Sequence, residues 1–309
     1  MMTVVIPMYN AEQYIERAIL SVLAQTVADF ELIIVNDGST DGSTDKIKNF
    51  HDERIRVIDQ ENCGECAARN KGIVEANSEM VSFLDADDAY NPRFLETILK
   101  LHEMFPEAGA CATAYEVINE KGKTIQYKHK GIPVGAWEGI IENYFLAALS
   151  APPFFSSSIA IHKNVFYNVG FFPVGVCKGG DLDMWGRLAV KYQIAYSTYP
   201  GSRYYKNAKN RVSNIPVHIG KRKVTETLDI LIKNSKINGD IVPFVERYIE
   251  KKELETASEC LKNGRFEDVR EIVRRCKRVT FKGTLAYMLS FLPYRVVLFV
   301  FSILNKIRK

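Results

Sequence analysis

Hydrophobic positions change their period repeatedly along the first hundred residues. An apolar run at Thr3–Met8 gives way to Tyr14, Ile15, Ala18, Ile19, Val22 and Leu23, which share one face of a helix. Asn10 stands where an N-cap for that helix would fall. E-L-I-I-V-N at 31–36 reads as a buried strand that stops at D-G-S-T-D-G-S, a turn-rich loop. A second helix starts near Thr44, Arg56–Ile58 is a short strand, residues 65–76 read as helix, and Met80–Leu84 is the next strand. Asn91-Pro92 opens a further helix with proline at its first position. Strands alternating with helices predict an α/β fold, a mainly parallel sheet with helices on both faces. Ligands of such sheets sit beyond the carboxyl ends of the strands. Pro7–Asn10, Asn36–Ser39 and Asp85–Asp88 all follow strand ends, so they are expected to share one crevice.

From about 106 to 215 the pattern is less regular, with frequent aromatics, Gly and Pro, and a helix from near Asp181 through Ala189. We read 1–215 as one domain whose halves, 1–105 and 106–215, complete one mixed sheet. Residues 216–309 form a helical C-terminal extension. There is no internal repeat and no low-complexity segment.

Composition adds limits. The chain has 309 residues, 47% hydrophobic and 25% charged, which fits a globular protein with a sizeable core. Net charge is +4, and no basic stripe interleaved with aromatics argues for nucleic acid. The charge is uneven: Leu261–Lys309 carries 12 Lys and Arg against 3 Asp and Glu. Cys63 and Cys66 form a lone C-x-x-C with no partner pair for a zinc site; it reads as a redox pair or, more simply, as a helix N-terminus with two small residues. The start, M-M-T-V-V-I-P-M-Y-N, has no basic and apolar leader, and the irregular cysteine spacing fits reduced thiols, so a cytoplasmic chain is expected.

F-L-D-A-D-D at 83–88 brings three carboxylates to the end of a buried strand, where like charges repel and invite a divalent cation with oxygen ligands. The loop at 36–43 lacks the G-K-[ST] of a phosphate-binding loop and the G-x-G-x-x-G of a dinucleotide site. V-V-I-P-M-Y-N, V-N-D-G-S-T-D-G-S at 35–43, N-C-G-E-C-A-A-R-N-K-G at 62–72, F-L-D-A-D-D, and then G-G-D-L-D-M-W-G-R-L-A at 179–189 follow in order. In these pieces the chain resembles the family 2 glycosyltransferases over roughly residues 1–215. The resemblance implies the GT-A fold, a Rossmann-like mixed sheet flanked by helices. It also implies transfer of one sugar from a nucleotide sugar, most simply UDP-linked, with inversion at the anomeric carbon.

Roles follow from the resemblance, and the chemistry of each side chain suits them. Tyr9 offers an aromatic face for a base, Pro7 a rigid wall, and Asp37 an acceptor for a pyrimidine ring N–H. Arg69 would reach the base or the phosphates. Asp87 matches the direct ligand of Mn2+ or Mg2+, and Asp85 the ribose contact or a second ligand through water. Asp88 reads as a support behind the metal ligands or, in preference, as the cap of the following turn. Asp181 matches the general base, its plainer reading being a helix N-cap. Asp183, two residues on and so pointing away from Asp181 on a helix, is a weaker candidate for the base; it and Trp185 are candidates for the acceptor pocket, with packing as the alternative for Trp185.

The departures matter too. Gly180 stands where many members carry a second acid, and Asn36 where many carry Asp, the latter change expected to matter little. R-Y-Y-K-N-A-K-N-R-V-S lacks a histidine near Ala208, so Lys206, Lys209 or Arg211 are candidates for diphosphate charge. No Q-x-x-R-W marks a processive synthase. The five histidines (51, 102, 129, 162 and 218) form no cluster, and Ser156–Ser158 lack a nucleophile context. The apolar segment 284–304 carries Pro293 and Arg295 in its middle, which disfavours a simple span; with the basic ends of 282–309 it reads as contact with the anionic inner face of the cell membrane, or as a helical hairpin packed on the catalytic domain. The acceptor is expected to be a saccharide or a lipid-linked saccharide of cell-surface polysaccharide or lipopolysaccharide assembly. The rival readings are a non-catalytic nucleotide-sugar-binding scaffold and, behind it, a nucleotidyltransferase.

Overall fold

The structure, a computed structural model, describes residues 1–207, 222–276 and 280–307, and the side chains of all of these except 302–307. The chain divides into two compact units, Met1–Arg211 and Val212–Lys309.

The first unit is built on one sheet. Its strands are β1 (Met2–Met8), β2 (Phe30–Asn36), β3 (Ile55–Asp59), β4 (Met80–Phe83), β5 (Ala89–Tyr90), β6 (Ala110–Ile118), β7 (Thr124–Ile125), β8 (Glu138–Ile140), β9 (Ile159–His162) and β10 (Ile194–Tyr205). They pair in the order β3-β2-β1-β4-β9-β6-β10-β5, with β7 on β6 and β8 on β10. β3, β2, β1 and β4 are parallel, β9 runs antiparallel between β4 and β6, and β10 returns parallel to β6. The sheet is therefore mixed, as expected of the GT-A fold. Every residue of β1 is buried, because helices cover both faces of a central parallel strand.

The helices are α1 (Ile15–Leu23), α2 (Ser43–Ile47), α3 (Glu65–Glu75), α4 (Phe94–Met104), α5 (Tyr144–Ala147), α6 (Lys163–Val169) and α7 (Gly180–Lys191). α1 buries Ile15, Ala18, Ile19 and Val22, the stripe its spacing predicts. Two expected helix starts are displaced. Asn10 is not an N-cap: its φ is +48°, a left-handed conformation that Asn tolerates, and α1 begins five residues later. Pro92 is not the first residue of α4 either. Asn91 C=O accepts from Phe94 N–H in a turn, and the helix starts at Phe94. α3 lies close on the sheet because Gly72 faces Val5; a Cβ there would stand 2.3 Å from Val5 Cγ1.

β10 is bent. Its register against β6 shifts on either side of Pro200, which has no N–H for the ladder. Asn91 answers the bend by donating from its side chain to Pro200 C=O at 2.6 Å and from its backbone to Gly201 C=O at 2.8 Å. The bend carries the end of β10 to the loop after β4.

The second unit is helical: α8 (Lys223–Lys233), α9 (Val242–Lys262), α10 (Phe266–Arg275), α11 (Phe281–Leu289) and α12 (Tyr294–Ile307). Its core joins Ala257, Cys260 and Leu261 of α9, Val269 and Ile272 of α10, Leu289 and Val297. The apolar segment 284–304 is thus two helices broken at Pro293. One face of the pair packs on α9 and α10, within this unit. Among the described residues no helix is long and apolar enough to cross a membrane.

Candidate active site

The loops after β1 and β2 are joined by hydrogen bonds, and the loop after β4 follows the parallel neighbour of β1 at the same end of the sheet. Asp37 N–H donates to Met8 C=O at 2.8 Å, Asn10 N–H to Ser39 Oγ at 3.1 Å, and Thr40 N–H to Asn10 Oδ1 at 2.8 Å. Pro7 is buried at the end of β1, while Tyr9 beyond it is 51% exposed, an aromatic ring left at the mouth. Asp37 is buried and accepts from Gln60 Nε2 at 2.7 Å, Cys63 N–H at 2.9 Å and Gly64 N–H at 2.8 Å. It therefore anchors the turn into α3, and a carboxylate with about four acceptor positions still has room for another donor. Asn36 matters more than its sequence context suggests. Its amide nitrogen donates to Asp59 Oδ1 at 2.8 Å, a bond that an Asp at 36 would turn into repulsion.

The three carboxylates of 85–88 go three ways. Asp85 accepts from Arg69 Nη2 at 2.7 Å and keeps 22% of its side chain exposed. Asp87 is half-buried, and its backbone C=O accepts from Arg17, whose guanidinium lies 3.8 Å over the Tyr205 ring. Asp88 is fully buried and does not cap a turn with its side chain, as the sequence suggested. It accepts from Ser157 Oγ at 2.9 Å and from Tyr205 N–H at 3.2 Å, tying the loop to the end of β10. Burial, with Asp87 and Asp85 nearby, holds the Asp88 carboxyl well above the usual carboxylate range. Ser157 also accepts from Asp85 N–H at 3.0 Å, so one buried hydroxyl links both ends of D-A-D-D. Sequence reasoning missed this serine, and no local pattern marks it.

Arg69 lies beneath these carboxylates rather than at a ligand's edge. Its side chain is 3% exposed, and the same Nη2 also contacts Glu65. The sequence suggests that it reaches the base or the phosphates; its direct partners here are Asp85 and Glu65. Its neighbour Asn70 grips Phe172 by both its amide groups, N–H to Oδ1 at 2.9 Å and Nδ2 to C=O at 2.8 Å. Although 37% of the Glu65 side chain reaches solvent, its carboxyl is pushed up to about 7. Burial of the carboxyl is the main cause; Arg69 opposes it, and Asp85, Asp181 and Asp87 reinforce it.

α7 brings the second half of the site. It begins at Gly180 with Gly179 in the N-cap position at φ +83°, so Asp181 lies in the first turn and is not the cap. A Cβ at Gly180 would stand 2.5 Å from Cys66 Sγ, which explains why no second acid fits there. This close approach of α7 to α3 sets Asp181 within electrostatic reach of Glu65 and Arg69. Asp183 and Trp185 both lie inside the first unit, and for Trp185 packing is the alternative that the sequence also offered. Asp183 is buried and pairs with Arg187 Nε at 2.9 Å, while Arg187 donates to Gly170 and Phe171 C=O. Trp185 is fully buried, edge-on to Phe154 and Phe172.

Cys66 is buried at the start of α3 and its thiol is pushed up to about 12, chiefly by burial, the opposite of a redox thiolate; Cys63 is exposed outside the helix. Lys206 is exposed, and its N–H donates to Ile118 C=O at 2.9 Å. Ala208, Lys209, Arg211 and His218 lie outside the described residues. His162 Nε2 and His102 Nδ1 do meet, at 3.3 Å, across the side of the sheet. Among the described residues no three Asp, Glu, His or Cys side chains converge as a ready cage for a metal ion.

Residues 3–174 match the family described as Glycosyl transferase family 2. The chain is 34% identical over 197 residues to an uncharacterized glycosyltransferase of Rickettsia felis, covering 62% of this chain and 31% of that protein. It is 39% identical over 128 residues to a putative teichuronic acid biosynthesis glycosyltransferase, TuaG, of Bacillus subtilis, covering 40% of this chain and 49% of that protein. The chain thus spans less than a third of the length of the Rickettsia relative. In fold it is similar to residues 1–349 of S. aureus TarS, solved in complex with UDP-GlcNAc, with a TM-score of 0.70 at 14% identity over 89% of this chain and 81% of that one. Since the matched residues make up more than half of the sequence, the chain belongs to family 2 of the glycosyltransferases.

Proposed function

We propose that this chain transfers one sugar from a UDP-linked donor to a saccharide or lipid-linked acceptor, with inversion at the anomeric carbon. The observation that carries the reading is the packing of Gly180 on Cys66, which brings Asp181 of α7 to the acidic site around Arg69 and Asp85. In this reading Tyr9 stacks on the base, Pro7 backs it, and Asp37 accepts from its ring N–H. Asp181 takes the proton of the acceptor hydroxyl. The acceptor oxygen bonds to the anomeric carbon as the bond from that carbon to the diphosphate breaks, and the nucleoside diphosphate leaves with the electron pair.

Asp85 and Asp87 fit Mn2+ or Mg2+ as hard oxygen donors two residues apart on one loop. Two protein carboxylates leave the other coordination positions to diphosphate and water, which suits the absence of a closed cage among the described residues. Bound there, the metal would neutralise charge on the leaving diphosphate. Arg69 aims Asp85, and Ser157 fixes the backbone between the two acids.

The exposed face of α11 and α12 supports a peripheral place on an anionic bilayer. Phe281, Met288, Phe291 and Phe299 are each more than half exposed, beside exposed Lys282 and Arg295. Such a place suits a lipid-linked acceptor of cell-surface polysaccharide assembly and an enzyme working at the cytoplasmic face.

The test is a panel of nucleotide sugars with and without Mn2+, read by thermal shift and by release of nucleoside diphosphate. A metal-dependent shift with a UDP-sugar is expected. Asp181→Asn should keep the shift and lose turnover. No shift with any donor in the presence of metal defeats the reading. Co-sedimentation with phosphatidylglycerol vesicles, but not with phosphatidylcholine vesicles, is the expected result for the membrane face.

A further inference from the structure

The first unit holds a second concavity that the donor site does not use. A cleft of about 750 Å³ lies between α4, the segment 126–138 and β10, within the size range of ligand sites. None of Asp85, Asp87, Arg69 or Asp181 lines it.

Its walls combine aromatic rings with charge. Trp137 lies against Gly139, where a Cβ would stand 2.4 Å from indole Cζ2. Glycine therefore lets the backbone of β8 support the ring, which remains half-buried at the cleft wall. The Trp137 backbone is pinned as well: its N–H donates to Thr198 Oγ1 at 2.8 Å, and Thr198 N–H donates to its C=O at 2.9 Å. Tyr199 lines the opposite strand with Arg93 over its ring at 5.8 Å. Lys100 and Glu138 pair at 2.6 Å across the wall, and the exposed Lys128 adds a further cation. Arg93 is paired with Glu96 at 3.1 Å and Lys100 with Glu138, so the exposed Lys128 carries the positive charge of the lining beyond these pairs.

A sugar ring has a flat face of partly positive C–H bonds and a rim of hydroxyls. It suits an aromatic face ringed by polar groups, because the face of the π-system is negative. The positive charge of Lys128 adds attraction for an anion. We propose that this cleft binds a negatively charged saccharide, separate from the nucleotide-sugar site. The choice of a saccharide rests on the glycosyltransfer reading, as a hold on the acceptor chain away from its reacting end.

The chain has two tryptophans, and Trp185 is fully buried, so saccharide-dependent fluorescence reads Trp137. The full chain is titrated with tetragalacturonic acid, with a phosphodiester-linked glycan oligomer, with neutral maltotetraose and with inorganic phosphate. Saturable binding of either acidic oligomer is expected, and the stronger of the two names the anion. Maltotetraose and phosphate should bind at least tenfold more weakly. By calorimetry, Trp137→Ala and the surface change Lys128→Glu should each weaken acidic-oligomer binding at least tenfold, while Asp181→Asn leaves it unchanged. Silence towards both acidic oligomers, equal binding of maltotetraose or of phosphate, or wild-type binding by Lys128→Glu would overturn the proposal. UDP-sugar binding is scored in the same preparation. Intact donor binding with a silent cleft defeats the cleft alone, whereas a silent donor site with a working cleft defeats glycosyl transfer alone.

Discussion

Arg69 Nη2 donates to Asp85 Oδ1 across 2.7 Å from a side chain that is only 3% exposed. The loop that carries Asp85 and Asp87 is thus aimed from below by a cation that has little contact with water. Breaking a buried pair leaves an uncompensated charge and costs about 3–5 kcal/mol. The low end, about 3 kcal/mol, is expected for Arg69→Met, because Asp85 and Glu65 keep 22% and 37% exposure. Arg69→Lys keeps the charge and loses the fork, so it should fall between Met and wild type. Urea titration gives the stability order. Donor affinity in Mn2+ should follow the same order, and a variant that loses stability with unchanged donor affinity would separate Arg69 from the site.

Ser157 should behave as part of the same loop although it is 72 residues away in sequence. Ser157→Ala removes the donor to buried Asp88 and the acceptor of Asp85 N–H together. Leaving such buried groups unpaired costs about 1–3 kcal/mol. A lower urea midpoint with an unchanged slope is expected, together with weaker metal-dependent donor binding, since the backbone between Asp85 and Asp88 loses its tie. Unchanged donor binding would confine Ser157 to stability.

Much of this first unit was legible in the sequence. Full burial on both faces makes β1 and β2 continuous apolar runs, and one buried stripe gives α1 its period. The convergence of three loops followed from the rule for parallel sheets. What escaped was set by contacts between distant residues. Asp88 looked like a turn cap until Ser157 and Tyr205 closed on it, and only the rings of Phe154 and Phe172 show Trp185 packed, one of the two readings the sequence left open. The second cleft joins residues near 93–100, 126–138 and 196–200, which no local pattern links.

Glu65 predicts a pH dependence in the metal-free protein. Its folded carboxyl titrates near 7 against an ordinary value of 4.5. Between these values the folded state holds more protons than the unfolded state, so stability falls as pH rises. Above about 7 the penalty is complete, and below about 4.5 it is absent. Glu65→Gln removes the titration and keeps an acceptor for Arg69. The gap in Tm between Glu65→Gln and wild type should therefore widen in favour of the variant as pH rises from 4.5 to 7. A gap that stays constant with pH would show that Glu65 ionises in the folded protein as it does in the unfolded one.

Gly180 offers a test in which two effects oppose each other. Inside a helix, Gly→Ala is ordinarily stabilising by about 1 kcal/mol. Here the new Cβ would stand 2.5 Å from Cys66 Sγ, a group with 6% exposure and little room to yield. Overpacking of this kind costs about 1–3 kcal/mol, so the net effect of Gly180→Ala should be destabilising, by up to about 2 kcal/mol. The strain would be relieved by moving the first turn of α7, and Asp181 is the next residue. Turnover should therefore drop further than stability does, with donor binding largely kept. Cys66→Ala removes the opposing sulfur, and in the double variant the helix preference of alanine is free to act. A double-mutant cycle should then show a coupling of about 1–2 kcal/mol, with turnover partly restored. Additive effects of the two changes would mean that α7 is not seated on α3 through this contact, and that Asp181 is held in place by something else.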